Sequence, residues 1–295
     1  MKLCVFPNDP LIAYYEKGEI KERYFNPNNF FDEIHVISFV ESDIDVSKVK
    51  ELAGNANFFI HSVGKIKINE RKKKLDHIQR IVKEISPDVI RAYNPRLEGW
   101  FAAKISENLN IPFFLSLHTQ HENKLNIAKK TNLKKYLALK FSSKILEPYV
   151  IQRADKITIV YKIIESYVRK LKGNMPELLY NGIDCERFAT AKELDNLSKP
   201  LVISVGNLIK EKNHECLINA MKDVNANCLI IGKGERHDNL VKLIHKLHLE
   251  DKITIKEKVS NNEIQNYYKS AKMFALAYNP ELEGIPKPVI EALAT

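Results

Sequence analysis

The sequence predicts an α/β protein with two doubly wound, Rossmann-like domains, each a parallel sheet with helices on both faces. Three observations support this fold class. Short apolar runs alternate with amphipathic segments along the whole chain. The alternation stops in a polar segment and begins again near Leu201. The chain has 295 residues and a hydrophobic content of 44%, which is enough for two separate cores.

The first series of elements alternates short strands with longer helices. Two helices are predicted from Glu70 to Ile85, ahead of Pro87, and from Glu98 to Leu109, ahead of Pro112. The predicted strands are Leu3 to Phe6, Glu33 to Phe39, Asn57 to His61, Val89 to Arg91, Phe113 to Leu117, Lys156 to Val160 and Glu177 to Leu179. We assign residues 1–195 to this N-terminal domain.

The second series begins after the polar segment from Thr190 to Pro200, which we interpret as the linker. The predicted strands are Leu201 to Val205, Cys228 to Ile231, Ile253 to Ile255 and Met273 to Ala277. The predicted helices between them are Glu215 to Met221, His237 to Leu247 and Asn262 to Ala271. Residues 196–295 therefore form a second, smaller domain.

Composition indicates a protein of the reducing cytosol, because the four cysteines show no paired or metal-ligand spacing. The N-terminus matches neither a signal peptide nor a membrane span, so any membrane contact is expected to be peripheral.

The net charge is +9, and Lys and Arg crowd residues 124–172, where Leu133, Leu137, Phe141 and Ile145 recur at helical spacing. A surface helix packed on the sheet and a helix attracted to anionic lipid or nucleic acid both fit this pattern. No nucleic-acid motif accompanies it.

The segment from Glu283 to Glu291 places two carboxylates on either side of a Gly/Pro elbow. The elbow follows an apolar run that predicts a buried strand, and Glu291 falls in the first turns of the next helix. Carboxylates accept hydrogen bonds from sugar hydroxyls, and free N–H groups at a helix start favour phosphate. The pattern predicts a bound sugar nucleotide, although a solvated loop residue and an ordinary helical Glu fit it too.

Three other loops follow predicted strands. The loop after Val205 contains Gly206, Asn207 and Lys212, and a lysine there can reach a phosphate or simply be solvated. The next strand leads into Gly232-Lys233-Gly234, a turn that lets a ligand approach the backbone. In the first half, Leu117 is followed by His118, which is predicted to project from the top of the sheet as a site residue or a structural histidine.

Together these loops resemble the family 4 retaining glycosyltransferases of the GT-B fold, also called group 1 glycosyl transferases. The most specific part of the resemblance is E-G-I-P-K-P-x-I-E-A, from Glu283 onward. The other matching segments are Ser116-Leu117-His118, Leu146-Glu147, Arg153-Ala154-Asp155-Lys156-Ile157, Tyr180-Asn181-Gly182-Ile183-Asp184 with Phe188, Val205-Gly206 with Lys212-Asn213, and Ile231-Gly232-Lys233-Gly234. They occur in this order over almost the whole chain.

The resemblance implies that the second domain binds a nucleotide diphosphate sugar, that the first binds a glycan or lipid-linked acceptor, and that the anomeric configuration is retained. It implies that Glu291 binds the ribose, Glu283 the transferred sugar and Lys212 the diphosphate, while His118 contacts the sugar from the acceptor side. The remaining donor-site residues it implies are Gly206, Asn207, Gly232, Gly234, Gly284, Ile285, Pro286 and Lys287. Neither a cofactor nor a metal ion is expected.

The sequence departs from the family pattern in three places. Asn207 stands where members usually carry Arg, so one cationic phosphate contact is replaced by an uncharged donor, with Lys210 and Lys287 as possible substitutes. Asn8-Asp9-Pro10 replaces the usual paired glycines of the acceptor side. The chain stops at Thr295 within the helix of Glu291, from which we expect an incomplete second domain, and hence a fragment or one part of a split protein.

Two alternatives to a transferase stay open at this point. One is a truncated module that binds a nucleotide or an anionic surface without catalysis, and the other is a sugar-nucleotide epimerase of the same architecture.

Asp43-Ile44-Asp45 matches a metal-binding D-x-D, but its Ser/Asp-rich surroundings favour a solvated turn. No metal site is therefore predicted.

Overall fold

The computed structural model describes residues 1–18, 20–119, 125, 128–129, 133–195, 197, 200–278 and 286–295, with the backbone alone at position 135. The chain forms two compact units, Met1–Tyr180 and Asn181–Thr295. Each contains one parallel sheet, as the sequence predicts. No helix in the described part of the chain has the length and apolar character needed to cross a membrane.

The first unit contains a seven-stranded parallel sheet in the order β3-β2-β1-β4-β5-β6-β7. The strands are β1 (Lys2–Phe6), β2 (Glu33–Ser38), β3 (Asn57–Ser62), β4 (Val89–Ala92), β5 (Phe113–Leu117), β6 (Lys156–Ile159) and β7 (Glu177–Leu178). The chain builds outward from β1 to β3 and then continues from β4 on the other side of β1. This is the strand order of a doubly wound sheet.

Six helices accompany this sheet in the described residues. They are α1 (Leu11–Lys17), α2 (Arg71–Ile85), α3 (Leu97–Leu109), α4 (Leu133–Phe141), α5 (Glu147–Arg153) and α6 (Ile164–Lys170). A five-residue π-helical turn, Ser142–Leu146, joins α4 to α5. Helix α2 ends at Ile85, and the next residue, Ser86, caps it in the left-handed conformation just ahead of Pro87.

The two faces of the sheet carry separate cores because alternate strand residues point to opposite sides. Cys4 and Phe6 of β1 belong to a core with α2, α3 and α5. Leu3 and Val5 belong to the opposite core, with Leu11 of α1. The alternation within a single strand therefore places helices on both faces.

The predicted solvated turn at Asp43 and Asp45 has a structural role. The carboxylate of Asp43 accepts hydrogen bonds from the backbone N–H groups of Leu11 and Ile12, at 2.8 and 2.7 Å, and so caps the start of α1. Asp45 accepts from the backbone N–H of Ser47 at 2.8 Å and begins a short 3-10 turn. The D-x-D pair is thus used for capping.

The second unit contains a four-stranded parallel sheet in the order β10-β9-β8-β11. Its strands are β8 (Leu201–Val205), β9 (Asn227–Ile231), β10 (Ile253–Lys256) and β11 (Met273–Phe274). Its helices are α7 (Cys185–Ala189), α8 (His214–Ala220), α9 (His237–Lys246), α10 (Ile264–Ser270) and α11 (Lys287–Leu293). Strand β11 is shorter than predicted, because only Met273 and Phe274 pair with β8.

The two faces of this sheet also carry separate cores. One packs Val202 and Ile230 against α8 and α9. The other packs Leu201 and Ile203 against α10 and against Phe188 of α7. Residues 181–195, which the sequence analysis assigns to the first domain, lie in the second unit because Phe188 is part of its core.

Candidate functional site

The candidate donor site lies at the carboxyl end of the second sheet, between β8 and β11. The chain passes from β8 to β9 and β10 on one side of β8 and then returns to form β11 on the other side, so the strand order reverses between β8 and β11. Such a point leaves a crevice outside the strand ends, where open α/β sheets bind ligands. The loop from Gly206 to Lys212 follows β8, and α11 follows β11.

Glu291 is a buried carboxylate in α11, with 6% of its surface exposed. Its Oε2 accepts a hydrogen bond from the hydroxyl of Tyr268 at 3.1 Å, and its Oε1 lies 2.9 Å from Nζ of Lys287. Burial, and next the nearby Glu291 carboxylate, raise the pKa of Tyr268, so its hydroxyl stays protonated and donates. Each carboxylate oxygen has lone pairs left for a further donor.

Lys287 and Pro286 stand at the start of α11. Pro286 is the N-cap residue, with φ of −61°, a backbone angle that its ring favours. Lys287 lies one helical turn before Glu291, and this i,i+4 spacing produces their ion pair. Lys287, considered above as a substitute phosphate contact, is therefore engaged by Glu291.

The glycines of two loops are required by backbone packing. A Cβ at Gly232 would lie 1.9 Å from the carbonyl oxygen of Gly206, and a Cβ at Gly234 would lie 2.4 Å from that of Leu208. The loops are also joined by hydrogen bonds from the Gly206 N–H to the Ile231 carbonyl, at 3.0 Å, and from the Leu208 N–H to the Lys233 carbonyl, at 2.8 Å. The G-x-G turn therefore packs closely against the backbone of the loop after β8. The sequence predicts instead that this turn lets a ligand approach the backbone.

Lys212 and Asn207 occupy different environments in the loop after β8. Lys212 is buried, with 7% of its surface exposed, and its methylene groups lie 3.7 to 3.8 Å from the position that a Cβ of Gly206 would take. A side chain larger than hydrogen at position 206 would thus touch the lysine stem at ordinary contact distance. Asn207 is exposed.

Tyr268 and His214 belong to this region but were not identified from sequence. His214 is buried at the start of α8, with Nδ1 3.4 Å from the hydroxyl of Ser204. Burial lowers the pKa of His214, while hydrogen bonding to the backbone of Asn207 and Gly206 acts in the opposite direction. The neutral ring therefore lies against the loop that contains Asn207. No local sequence pattern identifies either residue, because both contact residues that are distant from them in the sequence.

His118 lies in the first unit, directly after β5, as predicted. Its ring packs against Tyr93, with the ring centroids 5.4 Å apart. Burial, followed by the positive charges of Arg91 and Lys21, lowers the pKa of His118 to about 4. His118 is therefore neutral at pH 7 and offers both a donor and an acceptor nitrogen.

Three predicted site residues, Glu283, Gly284 and Ile285, lie outside the described residues. In the second unit the structure places Glu291, Lys287 and Pro286 on α11, and Gly206, Asn207, Lys212, Gly232 and Gly234 in the loops after β8 and β9. Among the described residues, no three or more His, Cys, Asp or Glu side chains form a group that would hold a metal ion.

Two doubly wound parallel sheets, with Glu291 and Lys287 on the helix after the last strand of the second sheet, are the architecture of a GT-B protein. Comparison with family models agrees: residues 59–187 match "Glycosyltransferase Family 4", and residues 186–295 match "Glycosyl transferases group 1". The chain belongs to the group 1 glycosyltransferases of family 4.

Curated relatives include an "uncharacterized glycosyltransferase" of Haemophilus influenzae, 27% identical over 265 residues, which are 85% of this chain and 69% of the relative. Another is the N-acetylgalactosamine-N,N'-diacetylbacillosaminyl-diphospho-undecaprenol 4-alpha-N-acetylgalactosaminyltransferase of Campylobacter jejuni, 35% identical over 155 residues. That match covers 47% of this chain and 41% of the relative. The chain thus spans less than half of the Campylobacter protein.

Solved structures show the same fold. Anabaena HepE, crystallised with UDP and glucose, has a TM-score of 0.69 and 14% identity, over 100% of this chain and 78% of that one. A UDP-N-acetylglucosamine 2-epimerase also matches, with a TM-score of 0.51 and 10% identity, over 92% of this chain and 73% of that one. The architecture is thus common to both activities, and the family matches favour the glycosyltransferase over the epimerase.

Proposed function

We propose that this protein transfers a sugar from a nucleotide diphosphate sugar to an acceptor hydroxyl, with retention of the anomeric configuration. In this reaction the bond between the anomeric carbon and the diphosphate oxygen breaks. The acceptor oxygen takes its place on the same face of the sugar, and the acceptor proton goes to the departing diphosphate. The observation that supports the proposal is the buried Glu291 carboxylate of α11, which contacts Tyr268 and Lys287.

Glu291 is the proposed partner of the ribose hydroxyls. Its two oxygens are fixed by separate neighbours, so the carboxylate is already oriented before a donor arrives, and little conformational entropy is lost on binding. Glu283 is proposed to hold the transferred sugar, and His118 to contact that sugar as a neutral hydrogen-bonding group.

Lys212 is the proposed diphosphate contact. The leaving diphosphate gains negative charge while the sugar becomes positively charged, so a fixed cation near the phosphates lowers the barrier. Because the stem of Lys212 is buried beside Gly206, its position is restrained by packing. We propose that lysine supplies this charge without a metal ion, so EDTA is expected to leave the transfer rate unchanged.

The proposed acceptor is a glycan or a lipid-linked sugar. The name of the Campylobacter relative describes a sugar carried on diphospho-undecaprenol, and this supports the lipid-linked class for the present chain. The UDP in the HepE structure similarly supports a nucleotide diphosphate donor.

A thermal-shift titration with UDP-sugars and GDP-sugars tests the proposal, followed by a product assay with the stabilising donor. We expect a donor-dependent rise in melting temperature and a product whose anomeric proton coupling matches that of the donor. Inversion at the anomeric carbon would contradict the retaining mechanism. Stabilisation without turnover would instead favour a binding module that has no catalytic activity, for which the exposed Asn207 in place of Arg is the motivating observation.

A further inference from the structure

Strand β3 is an open edge of the first sheet. It lies at one end of the strand order and, among the described strands, pairs with β2 alone. The N–H of Asn57 donates to the carbonyl of Asp32, just before β2, at 2.8 Å. Because successive residues of a strand direct their backbone groups to opposite sides, those of Phe58, Ile60 and Ser62 point away from the sheet. No described residue accepts a hydrogen bond from these three N–H groups.

Strand β3 lacks the features that protect edge strands from pairing with another chain. Protected edge strands are commonly very short, or they carry lysine or proline. Strand β3 has six residues, Asn57–Ser62, and none of them is Lys, Arg, Asp, Glu or Pro. Burial, and next the nearby His35, lower the pKa of His61, so the strand is uncharged at pH 7. An uncharged strand can lie beside a copy of itself without electrostatic repulsion.

The three other edge strands of the two described sheets differ from β3 in length or in charge. Strands β7 and β11 have two residues each. Strand β10 is longer, but it ends at Lys256 and follows directly after Lys252. Among the described strands, β3 is therefore the one edge that combines length with the absence of charge. This contrast favours β3 as the edge that receives another strand.

Aromatic side chains extend the open edge on one face of the sheet. The side chain of Phe59 is 42% exposed, and its ring stacks on His35 with the ring centres 4.6 Å apart. His61 lies two residues further along β3 and therefore on the same face. Its Nε2 is 3.0 Å from Nδ1 of His35, and the two rings are within 20° of parallel. The three rings form an aromatic surface that reaches the edge of the sheet.

The open edge is complementary to itself when two copies of β3 run antiparallel about a two-fold axis. With the axis at Ile60, this residue lies opposite its own counterpart, and Phe58 lies opposite Ser62 of the second copy. Every outward N–H then meets an outward carbonyl. Phe59 lies opposite His61 of the second copy, so aromatic rings pack across the axis. A shift of two residues in either direction leaves one outward residue of each copy unpaired.

We propose that this protein forms a two-fold dimer in which β3 pairs antiparallel with β3 of a second copy. A two-fold interface uses the same surface on both copies, so residues near the axis lie close to their own counterparts. An uncharged strand tolerates this arrangement, whereas like charges facing each other oppose it. The first sheets of the two copies become one continuous sheet. The dimer needs no donor and does not depend on the donor site of the second unit.

Analytical ultracentrifugation of the full chain over a wide range of concentrations tests the proposal. We expect a reversible equilibrium between monomer and dimer. Ile60→Lys should weaken the dimer by at least about ten-fold, because two lysines would face each other at the axis. Added salt should reverse part of this loss, since screening weakens repulsion between charges but does not restore a misfolded strand. Circular dichroism checks that the variant is folded.

Disulfide crosslinking tests the register of the strands. The Cα atoms of opposite residues in a hydrogen-bonded antiparallel pair are about 5.5 Å apart, a distance that a disulfide spans. Ile60→Cys should therefore give a disulfide-linked dimer under mild oxidation. The matched control is Ile255→Cys, a partly buried isoleucine of the β10 edge, which should not crosslink. The unmodified chain gives the background from the exposed Cys185 and Cys216.

Two results would overturn the proposal. One is a chain that stays monomeric at every concentration, with no more crosslinking of Ile60→Cys than of Ile255→Cys. The other is a dimer that Ile60→Lys leaves equally strong, because the two copies would then meet through another surface.

Discussion

At the residue scale, the buried carboxylate of Glu291 is the group on which we propose that donor binding most depends. Its environment differs from that of an ordinary helical glutamate in two ways. It is almost completely buried, and each of its oxygens is fixed by a neighbour, Tyr268 on one side and Lys287 on the other. Burying a carboxylate is costly unless it is paired, and here Lys287 supplies the compensating charge.

Replacing Glu291 with Gln should weaken UDP binding by about ten- to a hundred-fold, because a charged acceptor of the ribose hydroxyls becomes a neutral one. Isothermal titration with UDP measures this effect. Tyr268→Phe is the control, since it removes a neighbour of Glu291 but keeps the charge, and its effect should be smaller. An unchanged UDP affinity in Glu291→Gln would show that this carboxylate is only structural.

Replacing Asn207 with Arg should strengthen UDP binding by about ten-fold or more, because a charge-assisted hydrogen bond to phosphate is stronger than one from an amide. Asn207 is exposed on the loop after β8, so a longer side chain does not disturb the core. Titration with UDP and with uridine separates the effect on the phosphates from that on the nucleoside. Equal changes for the two ligands would place residue 207 away from the phosphates.

At the scale of elements, the loops after β8 and β9 act as one packed structure. Their backbones approach so closely that Gly232 and Gly234 leave no room for a side chain. An ion pair between Glu215 of α8 and Arg236 also joins the segment that follows β8 to the segment that follows β9. The loop that contains Asn207 and Lys212 is thereby restrained before any ligand binds, as a preorganised site requires.

The replacement Gly232→Ala should lower the free energy of unfolding by about 3 kcal/mol, because its Cβ would lie 1.9 Å from the Gly206 carbonyl oxygen. Urea denaturation measures the change. Gly206→Ala is the matched control, since its nearest contact would be 3.7 Å from Lys212 and stability should change little. Equal destabilisation by the two variants would contradict the packing argument.

At the scale of the whole molecule, four buried or half-buried histidines make stability depend on pH. The pKa values of His35, His61, His118 and His214 are all lowered, with burial as the largest cause in each case. Above pH 6.5 these histidines are neutral in both the folded and the unfolded chain. As the pH falls below 6.5, the unfolded chain binds protons that the folded chain does not, so stability decreases.

The variant His118→Gln should reduce this acid sensitivity. Because the folded pKa of His118 is about 4, its share of the loss develops between pH 6.5 and pH 4 and reaches about 2–3 kcal/mol. Chemical denaturation at pH 7.5 and at pH 5 measures the difference, which should be smaller in the variant. His77→Gln, at an exposed position of α2, is the control and should leave the pH dependence unchanged.

The sequence by itself determined the two parallel sheets, most strand and helix bounds, and the family. These features depend on local periodicity and on short motifs, which a single chain displays directly. Strand β5 was predicted with its observed bounds, and Glu291, Lys212 and Gly206 lie in the predicted helix and in the predicted loop after β8, while their roles stay predictions. The Glu283 segment stays a prediction.

Only the tertiary structure decided how the site residues are supported. The hydroxyl of Tyr268 reaches Glu291 across 23 residues of sequence, and the ring of His214 lies against the Gly206 loop. Packing likewise decided three further features. These are the need for glycine at position 232, the boundary between the two units near Tyr180, and the outward-facing side chains of Leu133 and Leu137. The physical reason is that these features depend on distances between segments remote in sequence, whereas periodicity reports only on neighbouring residues.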